Sequence, residues 1–181
     1  LPEERSLSPK KTIKEEIEYF AKLNQMTDIN GQIINEWFDM FEIKGKPEDK
    51  IKELSKGNQQ KVQLLCALIY KPEFVILDEP FSGLDPYNIT LLENIIKDIN
   101  RQGTTILFSS HNMANVENMC NKLIMLKNGK IVLNGTPTQI RNKFMKNKII
   151  IKTDKDLNFL TEKFNNYTIV DNTWTFIVNN E

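Results

Sequence analysis

The chain has 181 residues, 40% hydrophobic and 27% charged, with 24 basic and 24 acidic side chains in balance. That length suits one domain, or one and a fraction, of an ordinary globular protein. A net charge of zero gives nucleic acid no support as a partner, and no run of about 18 apolar residues is present to span a membrane.

Residues 1–11 are polar and Pro-containing, which predicts a loop. Thr12 with Glu15 makes a capping box, and Ile13, Ile17, Phe20 and Ala21 follow on one helical face. A second helix is expected from about Asp28, with Ile29, Ile33, Trp37, Phe38 and Phe41 along one stripe. Its aromatics suit a core better than a docking surface. Gly45 and Pro47 break this helical layer.

Ser55 is the expected N-cap of a helix carrying Val62, Leu65, Ala67 and Leu68 to Tyr70, with Pro72 ending it. Phe74–Leu77 is a continuous apolar run that predicts a central parallel strand covered on both faces. Asp85 and Pro86 form an N-cap and first-turn pair for a helix through Leu91, Leu92, Ile95 and Ile99. Gly103 stops it, and Thr104–Phe108 predicts a second buried strand. Strand, helix, strand in succession predicts an α/β fold with a parallel sheet.

Beyond His111 a short helix is expected around Met113, Val116 and Met119. Leu123–Leu126 and Lys130–Leu133 flank Asn128-Gly129, a strong hairpin signal. Thr136-Pro137 opens a further helix to about Lys146. From Lys148 the pattern reads as strand (Ile149–Ile151), helix (near Asp156–Phe164), strand (Tyr167–Val170) and strand (Trp174–Val178). Residues 148–181 are expected to be the start of a small α+β accessory domain. Cys66 and Cys120, both expected in apolar helical stretches, read as small buried hydrophobes in a reducing compartment, and His111 is the single histidine.

The chemistry concentrates in residues 54–111. Phosphoryl transfer is mostly positioning and charge stabilisation, and it needs a carboxylate for Mg²⁺ and a group to orient or deprotonate water. Asp78 and Glu79 stand at the C-terminal end of a buried strand, where open α/β sheets bind ligands. Strand-end carboxylates alone are common, so an ordinary solvated acidic pair is the competing reading.

Four motifs in order, LSKGNQQ (Leu54–Gln60), FVILDEP (Phe74–Pro80), SGLDP (Ser82–Pro86) and SSHN with His111, resemble the second half of an ATP-binding cassette (ABC) ATPase. The resemblance covers roughly residues 1–147. It implies a partial RecA-like P-loop NTPase sheet with a helical subdomain. The expected segments are 1–11 as a Q-loop-like piece, 12–70 helical, 71–147 as partial ATPase core and 148–181 as the accessory domain.

The same resemblance implies that Asp78 supports Mg²⁺, that Glu79 is the general base, and that His111 contacts the γ-phosphate. Ser55, Lys56, Gly57 and Asn58 would form a signature turn gripping ATP held by an opposite subunit. Lys56 and Asn58 depart from the family's Gly and Gln. Asp85 belongs to a loop that reaches across a dimer interface, and Glu3 stands where the family has a metal-touching Gln.

No GxxxxGK[ST] phosphate loop occurs in the 181 residues. The chain is therefore expected to be a piece of an ATPase and inactive alone. The implied partners are a second ATPase subunit, in a homodimer or pair, and a membrane permease; the implied location is the cytoplasmic, inner face of the cell membrane. The nearest relatives implied are bacterial exporters of the sodium-extrusion or drug-export type. A non-catalytic dimerisation or regulatory module is the alternative.

Overall fold

The computed structural model describes residues 7–144, 147–164 and 166–178. The chain divides into two compact units, Leu1–Met119 and Cys120–Glu181.

In the first unit α1 (Ile13–Leu23) begins at a complete capping box. The Glu15 N–H donates to Thr12 Oγ1 at 3.2 Å, and the Thr12 N–H returns a bond to Glu15 Oε2 at 2.8 Å. This satisfies two of the amides that a helix start leaves without internal partners. α2 (Gly31–Met40) starts later than the expected Asp28, because Asn30 caps it by accepting from the Ile33 N–H at 3.0 Å.

α3 (Lys56–Leu68) carries the centre of the core. Its segment from Gln60 to Cys66 is buried throughout, as is Leu68. A helix buried all round must partner its polar groups. Gln60 Nε2 donates to Pro80 O at 3.1 Å, and Lys61 Nζ donates to Glu42 O at 3.1 Å. Ile13, Ile17, Phe41, Leu64, Leu65, Leu77 and Leu92, all fully buried, close one hydrophobic core with it. The stripe on α2 is core, as expected: Trp37 and Phe38 are buried, and the Trp37 and Phe41 rings stack at 5.9 Å. Cys66 is buried, and burial pushes its thiol pKa up.

β1 (Phe74–Leu77) and β2 (Thr105–Phe108) pair in parallel, Phe74 opposite Thr105 and Leu77 opposite Phe108. The crossover is α4 (Pro86–Arg101), capped by Asp85 with Pro86 at its first turn. Thr104 belongs to the helix exit, where its carbonyl accepts from Asn100 Nδ2 at 2.9 Å.

The expected double coverage of β1 is corrected by the structure. Val75 and Leu77 are buried, but Phe74 and Ile76 are each 54% exposed, as is Leu107 on β2. An apolar run does not state how many layers cover it. Among the described residues the sheet has helices on one face and solvent on the other.

α5 (Met113–Met119) ends the first unit. Cys120 lies just past it, half-buried and outside a helix, contrary to the helical placement expected.

The second unit opens with a hairpin, β3 (Leu123–Lys127) and β4 (Lys130–Gly135). Asn128 and Gly129 have φ of 51° and 72°, the doubly left-handed turn that matches strand twist. α6 (Pro137–Phe144) starts at a second reciprocal box, Thr136 with Gln139. β5 (Asn147–Lys152), β6 (Tyr167–Val170) and β7 (Thr173–Val178) form an antiparallel sheet in the order β5-β7-β6. The helix expected near Asp156–Phe164 contracts to α7 (Asn158–Thr161). Trp174 and Phe176 are the buried centre of this sheet, with Tyr167 and Phe164 against Phe176.

Candidate functional site

The strand ends place the acidic pair. β1 finishes at Leu77, and the chain delivers Asp78 and Glu79 at its C-terminal edge. β2 finishes beside it at Phe108, and the Ser109 N–H donates to Leu77 O at 2.9 Å, extending the ladder by one bond. That register puts the Ser109 hydroxyl between both acids. Ser109 Oγ donates to Asp78 Oδ1 and accepts from the Glu79 N–H at 3.0 Å.

His111 completes the cluster. Its backbone N–H donates to Glu79 Oε1 at 2.8 Å, and its Nδ1 lies 2.8 Å from the same oxygen. The Glu79 side chain is 18% exposed and that of His111 is 83% exposed. The carboxylate is thus sheltered while the imidazole faces solvent. Glu79 itself has φ of 43°, a left-handed backbone that is costly for a residue with a Cβ. The Ser82 N–H donates to Glu79 O at 3.0 Å and holds the bend that follows.

A second group forms at the start of α3. Ser55 Oγ accepts from the Asn58 N–H at 3.3 Å, so the hydroxyl caps the helix and lies beside its first amides. Lys56 and Gly57 follow in that first turn, where backbone N–H groups face outward and favour an anion. Asn58 spends its side chain locally: its Oδ1 accepts from the Lys44 N–H at 3.3 Å, and its Nδ2 donates to Lys44 O at 3.4 Å.

Asp85 is used as a cap, with Oδ1 accepting from the Asn88 N–H at 3.0 Å. That amide, with the Asn88 side chain, holds the Asp85 carboxyl below its usual range. A Cβ placed on Gly57 would stand 3.5 Å from Leu84 Cδ2, so the signature turn lies against the Ser82–Asp85 segment of its own chain. Glu3 falls outside the described residues.

The structure therefore brings Asp78, Glu79 and His111 together at one strand edge, and Ser55, Lys56, Gly57 and Asn58 at one helix start. Ser109 was not singled out from sequence as a site residue. The available signal was its place directly after an apolar strand, level with Asp78.

Among the described residues no cluster of three or more His, Cys, Asp or Glu side chains could hold a metal by itself. Mg²⁺ takes one or two carboxylates together with phosphate oxygens and water, so the Asp78 carboxylate at the strand end fits it. No helix of the described residues is long and apolar enough to cross a membrane.

Residues 1–82 match the family model described as ABC transporter. Over 161 residues the chain is 44% identical to an uncharacterized ABC transporter ATP-binding protein, YhaQ, of Bacillus subtilis, covering 88% of this chain and 54% of that protein. It is 31% identical to the lipopolysaccharide export system ATP-binding protein LptB of Haemophilus influenzae, covering 78% of this chain and 60% of the relative. Among solved structures, an ATP-binding subunit of an ABC transporter superposes with a TM-score of 0.69 at 29% identity, over 79% of this chain and 60% of that one. The chain spans little more than half the length of these relatives. With its parallel α/β core and the acid–histidine cluster at the strand ends, the chain belongs to the ABC transporter ATP-binding family.

Proposed function

We propose that this chain is the signature, catalytic-acid and switch-histidine part of an ATP-hydrolysing subunit that drives a bacterial ABC transporter. The observation that carries the reading is the joining of Asp78 to Glu79 through Ser109, and of Glu79 directly to His111, at the ends of two parallel strands. Open α/β sheets bind their ligands at that edge.

In this reading ATP is the substrate. Glu79 orients and deprotonates the attacking water, and His111 fixes the Glu79 carboxylate while reaching the γ-phosphate. Ser109 holds Asp78 and the Glu79 backbone in one register. Asp78 would hold Mg²⁺, which shields phosphate charge when bound. Two subunits face each other head to tail, so that Ser55, Lys56 and Gly57 of one approach the phosphates held by the other. Asn58 and Asp85 shape that edge through their turn and cap bonds. Glu3 is assigned the Mg²⁺- and water-touching role of the family's Gln.

We assign residues 12–70 to the helical subdomain and signature helix, with the helical layer at 12–50 docking on a membrane permease, 71–147 to the ATPase core, and 148–181 to an accessory module. The subunit is placed on the cytoplasmic face of the cell membrane, and nucleic acid is no partner. Relatives named for linearmycin resistance and for lipopolysaccharide export support an exporter.

ATP turnover by the complete gene product, with and without Glu79→Gln, tests the reading. A loss of turnover of roughly 10²-fold or more is expected in the variant. Residual wild-type rates in Glu79→Gln would overturn the role of Glu79. The 181 residues alone, lacking a GxxxxGK[ST] loop, are expected to give no turnover. A complete gene product that never hydrolyses ATP yet pairs with a second copy would favour a non-catalytic dimerisation module instead.

A further inference from the structure

A short turn after α2 touches two helices that sequence keeps apart, α3 and α4. Glu42 sits in it with φ of 47°, a left-handed backbone for a residue with a Cβ. Such a conformation persists where surrounding contacts over-determine it. Tyr87, in the first turn of α4, donates its hydroxyl to the Glu42 carboxylate, 2.8 Å from Oε2 and 3.1 Å from Oε1. Lys61 of α3, only 3% exposed, donates to the Glu42 carbonyl at 3.1 Å. Two residues on, Lys44 exchanges both backbone groups with the Asn58 amide, at 3.3 and 3.4 Å.

We propose that the 42–44 turn is a latch holding the signature turn and the start of α4 in one arrangement, with Glu42 and Tyr87 as positioning residues. The inference rests on the proposed function for its consequence, not for its geometry. The signature turn and the Ser82–Asp85 segment are the two parts of this chain assigned to the opposite subunit's ATP.

Asn58 fastens the first to the latch, and Tyr87 fastens the helix that follows the second. Leu84 against Gly57 closes the loop between them. The Tyr87 ring is 64% exposed, so its hydroxyl bond ties it to the turn more than packing does. Lys61 anchors the turn through its bond to the Glu42 carbonyl. The two segments therefore present one edge, and a shift in either is carried to the other.

Two readouts test this separately. Amide exchange is measured on the complete gene product, wild type against Tyr87→Phe and Glu42→Gln. Loss of the hydroxyl is expected to raise exchange in both 55–60 and 82–89 by roughly fivefold, the worth of one hydrogen bond. Glu42→Gln, which keeps an acceptor oxygen, stays near wild type. Exchange that rises only beside residue 87, or nowhere, overturns the latch.

In the complete gene product Tyr87→Phe is expected to lower kcat roughly tenfold, as misplacement of a reacting group does, with KM for ATP held within about twofold. If Glu79→Gln abolishes turnover while Tyr87→Phe leaves kcat intact, the positioning role fails and the ATPase reading stands. If Glu79→Gln changes nothing, the ATPase reading fails, and the exchange data alone decide the latch.

Discussion

His111 meets one oxygen of Glu79 twice, through its backbone N–H and through Nδ1, both at 2.8 Å. One contact is fixed by the main chain and survives any substitution at 111 short of proline. The other depends on the imidazole. His111→Ala should therefore leave the Glu79 carboxylate tethered but lose the contact reaching outward. On the proposed reading kcat falls by roughly tenfold or more in the complete gene product, while Glu79→Gln costs roughly 10²–10⁴-fold, the range for a general base. Equal losses in the two variants, measured by phosphate release, would count against this division of roles.

Ser109 joins the acids rather than acting on substrate. Ser109→Ala removes the hydroxyl that Asp78 and the Glu79 N–H share. We expect kcat to fall and the Mg²⁺ concentration for half-maximal rate to rise, each by about tenfold for one charge-assisted bond. Ser109→Thr, which restores a hydroxyl, should recover much of both. A Mg²⁺ titration of the two variants reads the difference.

Phe41 is fully buried and stacks on Trp37. Phe41→Ala should destabilise the first unit by about 3–5 kcal/mol, the usual cost of deleting a buried phenyl ring. Urea unfolding followed by tryptophan fluorescence checks it, since Trp37 reports from the same cluster. A loss under about 1 kcal/mol would mean the site collapses around the gap.

Acid sensitivity should concentrate at two helix starts. The Thr12 amide holds the Glu15 carboxyl below its usual range, and the Asn88 amide does the same for Asp85. A carboxylate depressed in the folded state contributes stability that is fully present above its unfolded pKa, near about 4. That contribution is lost as pH falls through the lower, folded value. The urea midpoint is therefore expected to hold from neutral pH to about 5 and to fall below about 4. Glu15→Gln, which removes the titrating carboxyl, should flatten part of that fall, and a series of midpoints at stepped pH would reveal it.

Local chemistry explains what could be read without coordinates. The Thr12–Glu15 box, the Ser55 and Asp85 caps and the Asn128-Gly129 turn each sit where a few adjacent residues decide the backbone. The strand–helix–strand order and the acids at the strand end followed from the same short-range signals. What escaped depends on distance along the chain. An apolar run could not say which face of β1 the described residues cover. The second helix is capped at Asn30 rather than starting near Asp28, through one bond from the Ile33 N–H. The tight turn at Asp171-Asn172, both left-handed, has no glycine to advertise it. Ser109 reaches Asp78 across 31 positions and Tyr87 reaches Glu42 across 45, pairings that no local pattern encodes.

On the proposed reading, the left-handed backbone at Glu79 sets stability and activity against each other at one residue. Asparagine, aspartate and glycine tolerate that region better than glutamate does. Selection for a tougher protein alone would therefore drift toward those residues and away from the longer carboxylate that meets His111. A screen for thermal resistance should recover inactive variants at position 79, so heat-selected libraries of this domain need a turnover step beside the heat step.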